Sequence, residues 1–102
     1  MTRLRYVFAE GFTEVKEELQ RGLDVCPVPE YMHAAIREYV LDHQRPGDFL
    51  MAVLSNDLFQ AVGKADTANS KALRNWINLI YNYCPSECWG SINSVKEWIK
   101  NG

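Results

Sequence analysis

Three cysteines and two histidines give this chain its best metal ligands and its strongest nucleophiles. Cys84-x-x-x-Cys88 is one closely spaced couple, with Cys26, His33 and His43 elsewhere. A structural zinc site normally draws on two such couples, so a single one reads as buried or loop thiols acting as small hydrophobes; no metal and no cofactor are expected. A nucleophilic Cys–His pair would need a thiol of lowered pKa. Cys84 and Cys88 flank apolar and acidic residues, with no basic neighbour to lower it. An odd number of cysteines fits a reducing cytoplasm better than a secreted disulfide framework.

Asn56, Asp57 and Asp66 are the polar positions of most interest. Asp57 could act as a general base or a ligand in a pocket, but a catalytic carboxylate needs a companion and none stands at a telling spacing. All three are therefore expected to be structural, with Asp57 accepting hydrogens from a neighbouring helix or loop. Trp76, Trp89, Trp98, Tyr31, Tyr39, Tyr81 and Tyr83 are many aromatics for 102 residues, and most fall on core stripes. Trp89 in a loop and Tyr81 on the outer flank of its helix are the exceptions, where an exposed aromatic marks an interface.

The elements that must position these groups read as helices. The stretch from Pro46 to Val62 is expected to be one central helix. Leu50, Val53, Leu54, Asp57, Leu58, Ala61 and Val62 form its inward stripe, Pro46 lies in its first turn, and Gly63 takes the left-handed position that ends it. From Leu4 to Leu19, helical spacing competes with a strand-like alternation at Leu4, Tyr6 and Phe8. Helix is favoured, because Glu14 to Arg21 are good helix formers and no second strand is visible; Gly22 is expected to close it. Cys26-Pro27-Val28-Pro29 is an extended connector. Pro29 opens a second helix to about His43, with Met32, Ala35, Ile36, Tyr39, Val40 and His43 inside. Asp66 caps a helix reaching Tyr83, with Ala72, Leu73, Trp76, Ile77, Ile80 and Tyr83 inside and Asn69, Lys71, Arg74 and Asn78 outside. Cys84-Pro85 stops it, and Ser91 caps a last helix whose Ile92, Val95 and Ile99 point inward beside Trp98. The expected fold is a compact all-α bundle of four to five short helices in a single domain, residues 1–102.

Composition narrows the function classes. Apolar residues at 47% and charged ones at 24% are ordinary globular values, and a net charge of −2 lacks the basic excess that neutralises phosphates, so nucleic acid is not an expected partner. Lys71, Arg74, Lys96 and Lys100 are the only candidates for a basic face. No run approaches the about eighteen apolar residues of a membrane span. Arg3 and Arg5 are followed by Glu10 and Glu14 before any apolar segment long enough for a signal peptide, so a cytoplasmic location is expected.

Pro46-Gly47-x-Phe49-Leu50-x-Ala52-Val53-Leu54-Ser55-Asn56-Asp57-Leu58, then Gly63-x-Ala65-Asp66 with Asn69, Tyr81-Asn82-x-x-Pro85, and Trp89-Gly90-Ser91 with Val95 and Trp98, resembles a widespread group of short phage and prophage proteins of unassigned function. The resemblance covers about residues 28 to 102 and leaves 1–26 as an N-terminal extension. It implies an origin as a phage accessory gene and transfers no chemistry. By exclusion and resemblance together, the expectation is a non-enzymatic protein-binding module in the host cytoplasm that inhibits or modulates a host system such as an anti-phage defence. Its partner would be a host protein or complex, with a homodimer left open. Contacts are expected from Tyr6, Glu14 and Glu18 in the N-terminal segment and from Tyr81 and Trp89, the latter as anchor. A nucleic-acid-associated regulator and a small enzyme using Asp57 are the alternatives.

Overall fold

The stretch expected to form one central helix forms two. The computed structural model describes residues 9–102, and in it the order is α1 (Ala9–Val25), a 3-10 turn (Glu30–Met32), α2 (His33–Asp42), α3 (Asp48–Leu54), α4 (Leu58–Lys64), α5 (Thr67–Lys71), α6 (Leu73–Tyr83), a second 3-10 turn (Ser86–Cys88) and α7 (Ile92–Lys100). The fold is all-α, with no strand among the described residues. It has seven helices there rather than four to five, because the helices expected over 46–62 and 66–83 each divide. The choice between helix and strand over residues 4–8 lies outside the described residues.

Local chemistry explains the division of the central stretch. Asn56 adopts a left-handed conformation, φ 62°, which asparagine tolerates better than most residues. Its N–H donates to Val53 O at 3.1 Å and the Asp57 N–H donates to Ala52 O at 2.9 Å, the paired closure of a Schellman motif. Asp57 then caps the next helix, its Oδ1 accepting from the Gln60 N–H at 3.2 Å. A stop and a start thus occupy three consecutive residues. Gly63 does not end α4; the helix continues to Lys64.

α3 is the hub. It packs on α4, α6 and α7, and its Leu50 and Leu54 are fully buried. α1 packs on α6 and α2 through Val15, Leu19 and Leu23. Gly22 lies inside α1 rather than after it, because the helix passes so close to α6 that a Cβ there would sit 2.6 Å from Leu79 Cδ1 and from Tyr83 Cβ. Fully buried Trp76 meets Phe49 edge to face, ring centroids 6.0 Å apart.

Polar contacts fasten the ends of the helices. His43 closes α2 in a left-handed conformation, φ 59°, stacks on Trp98 at 4.5 Å, and donates through Nδ1 to Trp98 O at 2.6 Å. Trp98 Nε1 returns a bond to Tyr39 O at 2.9 Å, so α2 and α7 are clasped at one point. Tyr39 OH donates to Cys88 O at 2.6 Å, and burial holds this phenol well above its ordinary pKa. Asn69, expected outside, is buried, and its Oδ1 accepts from Trp76 Nε1 at 2.9 Å. Ile77, expected inside, is 48% exposed, while Leu79 takes a buried place.

Candidate functional site

Breaking the chain at Asn56 resets the helical phase, and residues meant for the core come out. On α4 only Ala61 is buried. Leu58 is 59% exposed, Phe59 86% and Val62 55%, the reverse of the inward placement expected for Leu58 and Val62. Asp57, also expected to face inward, is exposed as the cap of α4.

Two hollows border this apolar ridge. One is an open groove of about 810 Å³, walled by Met51, Ala52 and Ser55 of the α3 side, Phe59 of the ridge, and Gly90 and Ile92 across from it. Asp48, Asp57 and Lys64 bring charge to its rim. At one wall of the groove the Gly90 N–H, at φ 116° where glycine is favoured, donates to Leu54 O at 2.8 Å and pins the loop before α7 to the end of α3. The other hollow is small and runs between Val53, Ala61 and Leu73 to Leu58 and Ile77. Ile77 and Tyr81, 62% exposed, continue the apolar surface along α6. Tyr81 lies against Trp89 at 5.4 Å between ring centroids. Trp89 is half-buried rather than a protruding anchor; its Nε1 and the Oγ of Ser55 are buried without a hydrogen-bond partner.

The other candidate residues are dispersed. Glu14 is exposed and Glu18 half-buried on α1, where Arg21 donates to Glu18; neither lines the groove. Tyr6 lies outside the described residues. Asn56 is exposed at the turn. Asp66 caps α5 by accepting from the Asn69 N–H at 2.8 Å, and also accepts from Tyr31 OH. The tyrosine bond first, then the Asn69 N–H, holds its carboxyl below the ordinary range.

Cys26, Cys84 and Cys88 are free thiols buried in the core. Burial, then the neighbouring Cys84 thiol, pushes Cys88 well up and Cys26 up, away from the thiolate that a nucleophile or zinc ligand requires. Among the described residues no group of three or more His, Cys, Asp or Glu is placed to hold a metal ion. No described helix is long and apolar enough to cross a membrane.

Helix, three-residue turn, helix is also the connectivity of a DNA-binding motif, in which the second helix reads base edges with polar side chains. α4 exposes Leu58, Phe59 and Val62, with Gln60 and Lys64 its only polar side chains. Lys71, Arg74, Lys96 and Lys100 are exposed but lie on α5, α6 and α7, away from this element. No family model, curated protein or solved structure matches the chain. Fold and surface define a class: a small all-α domain that, among the described residues, exposes Leu58, Phe59 and Val62 together on one helix.

Proposed function

We propose that the chain is a non-enzymatic protein-binding module whose docking face is the α4 ridge with its groove. The observation that carries this reading is Phe59, an aromatic side chain 86% exposed between Leu58 and Val62, themselves more than half exposed. Isolated surface hydrophobes are ordinary, but a contiguous group beside a concave wall is how docking sites present themselves. Burying Phe59 alone against a partner would contribute about 2 kcal/mol. Rigid backing favours the surface further: α3 is packed on three sides and the Gly90 bond fixes the opposite wall, so little ordering cost attends binding.

The resemblance to short phage and prophage proteins supports a host protein as the target, and an inhibitor or modulator of a host system such as anti-phage defence as the role. Tyr81 and Ile77 extend the face along α6, and Trp89 supports Tyr81 from behind. The test is capture of host proteins by immobilised wild type and by Phe59→Glu, a change at a position too exposed to disturb the fold. A host protein retained by the wild type and lost by the variant is the expected result. Equal retention by both, or none by either, refutes the reading.

A further inference from the structure

α1 and α2 pack together but leave between them a cleft of about 500 Å³, which shares no lining residue with the groove beside α4. Its apolar lining is Leu19, which is buried, Leu41, half-buried, and Phe12, an aromatic ring left 46% exposed. Its charged lining is Lys16, Arg37 and a single carboxylate, Glu17. The chain as a whole carries 13 acids to 11 Lys and Arg, so the excess of cations here runs against the rest of the molecule. One bond orders these groups along the cleft. Arg37 Nη2, from α2, donates to Gln20 Oε1 of α1 at 2.8 Å, which ties the guanidinium to the facing helix and leaves its other donors to spare. Lys16 stands one turn before Gln20 on the same stripe of α1, and Phe12 one turn earlier again, about 12 Å from Gln20 along the helix. Leu41 lies one turn beyond Arg37 on α2, away from the connector as Phe12 is on α1. Positive charge thus gathers towards the Gln20 end and hydrocarbon towards the Phe12 end.

We infer that this cleft binds a small amphipathic carboxylate, one carboxyl group on a hydrocarbon chain or ring, with the carboxylate received by Arg37 and Lys16 and the hydrocarbon laid against Phe12 and Leu41. A guanidinium meets a carboxylate through paired N–H bonds, and the Lys16 ammonium adds a second positive charge beside it. Glu17 favours a ligand with a single negative charge, because a dianion would set its second charge against this carboxylate. The cleft has the size of a small-ligand pocket, apolar with a few charged groups at its rim, and covering the exposed Phe12 ring supplies the apolar driving force. The site is separate from the α4 ridge and stands whether or not the ridge docks a protein.

Octanoate titrated into the purified full chain, followed by amide chemical shifts in nuclear magnetic resonance spectra, tests this. Saturable shifts should centre on residues 12–20 and 37–41 and leave those of α4 in place. Octylamine, with the same chain and the opposite charge, and acetate, with the charge and no chain, should each bind at least about tenfold more weakly. Arg37→Gln and Lys16→Gln should each raise the octanoate dissociation constant about tenfold with the helical circular dichroism unchanged, and added salt should weaken binding to the wild type. Arg37→Gln also removes the tie between the helices; Gln20→Ala removes that tie but keeps the charge, and should bind octanoate like the wild type. No saturable shift, octylamine bound as tightly as octanoate, shifts confined to α4, or a loss of binding in Gln20→Ala equal to that in Arg37→Gln overturns the inference.

Discussion

Asn69→Ala should cost this small domain a large share of its stability. Asn69 is 4% exposed, and its side-chain oxygen accepts the indole N–H of Trp76, which is itself fully buried. Removing it forfeits a hydrogen bond worth about 1 kcal/mol net and strands a buried donor, for a total of about 2 kcal/mol with a range of 1 to 3. In a domain of this size each kcal/mol moves the melting temperature by about 4–8 °C, so the expected drop is about 8–16 °C. Thermal melts followed by circular dichroism measure it. Trp76→Phe supplies the control: in that background nothing is left to strand, and Asn69→Ala should cost clearly less than it does in the wild type. A drop under about 2 °C, or the same drop in both backgrounds, would refute the claim that the amide is held inside by the indole.

Gly22→Ala should destabilise by up to about 2 kcal/mol, overpacking against Leu79 and Tyr83 outweighing the about 1 kcal/mol gained from helix propensity. Gly63→Ala, with open space around it, should instead stabilise by about 0.5–1 kcal/mol; chemical denaturation of the two variants checks the contrast. Asp57→Ala should cost about 1 kcal/mol through loss of the α4 cap, and Asp57→Asn or Asp57→Ser much less, whereas a catalytic or ligating carboxylate would not be rescued by a neutral cap. Asp66 has its folded pKa depressed, so its contribution is present above the unfolded carboxylate pKa and is lost as pH falls through the lower folded value. The melting-temperature advantage of wild type over Asp66→Asn should therefore be full at about pH 7 and shrink as pH falls below the ordinary carboxylate range; an advantage independent of pH would contradict the Tyr31–Asp66 pairing.

Much of the helical architecture was legible because local chemistry and tertiary packing agree there. Asp66 and Ser91 are caps whose side chains accept from residues three ahead, and Pro85 follows the last residues of α6 where its missing N–H is tolerated. The apolar ridge on α4 was hidden by an assumption of continuity. Leu50 to Val62 fit one helical stripe so well that Ser55-Asn56-Asp57 read as an interruption, although asparagine followed by aspartate is also a left-handed stop followed by a cap. Once the phase is reset, Leu58 and Val62 turn outward and Phe59, on no stripe before, becomes the most exposed large hydrophobe among the described residues. Asn69 failed for the opposite reason. It stands seven residues before Trp76, on the same inward stripe, but its polarity argued for solvent and only the indole partner explains its burial. The close passage of α1 over α6 at Gly22 depends on a contact 57 positions away along the chain, Leu79, which no local pattern announces.

The central claim is that the α4 ridge is where this protein meets other proteins. A photo-crosslinking amino acid placed at Phe59, and in a separate protein at Gln20 on α1, reads that directly when each is irradiated in the host cytosol. The account predicts discrete protein adducts from position 59 and none from position 20; adducts equally abundant at both sites, or absent at position 59, would contradict it.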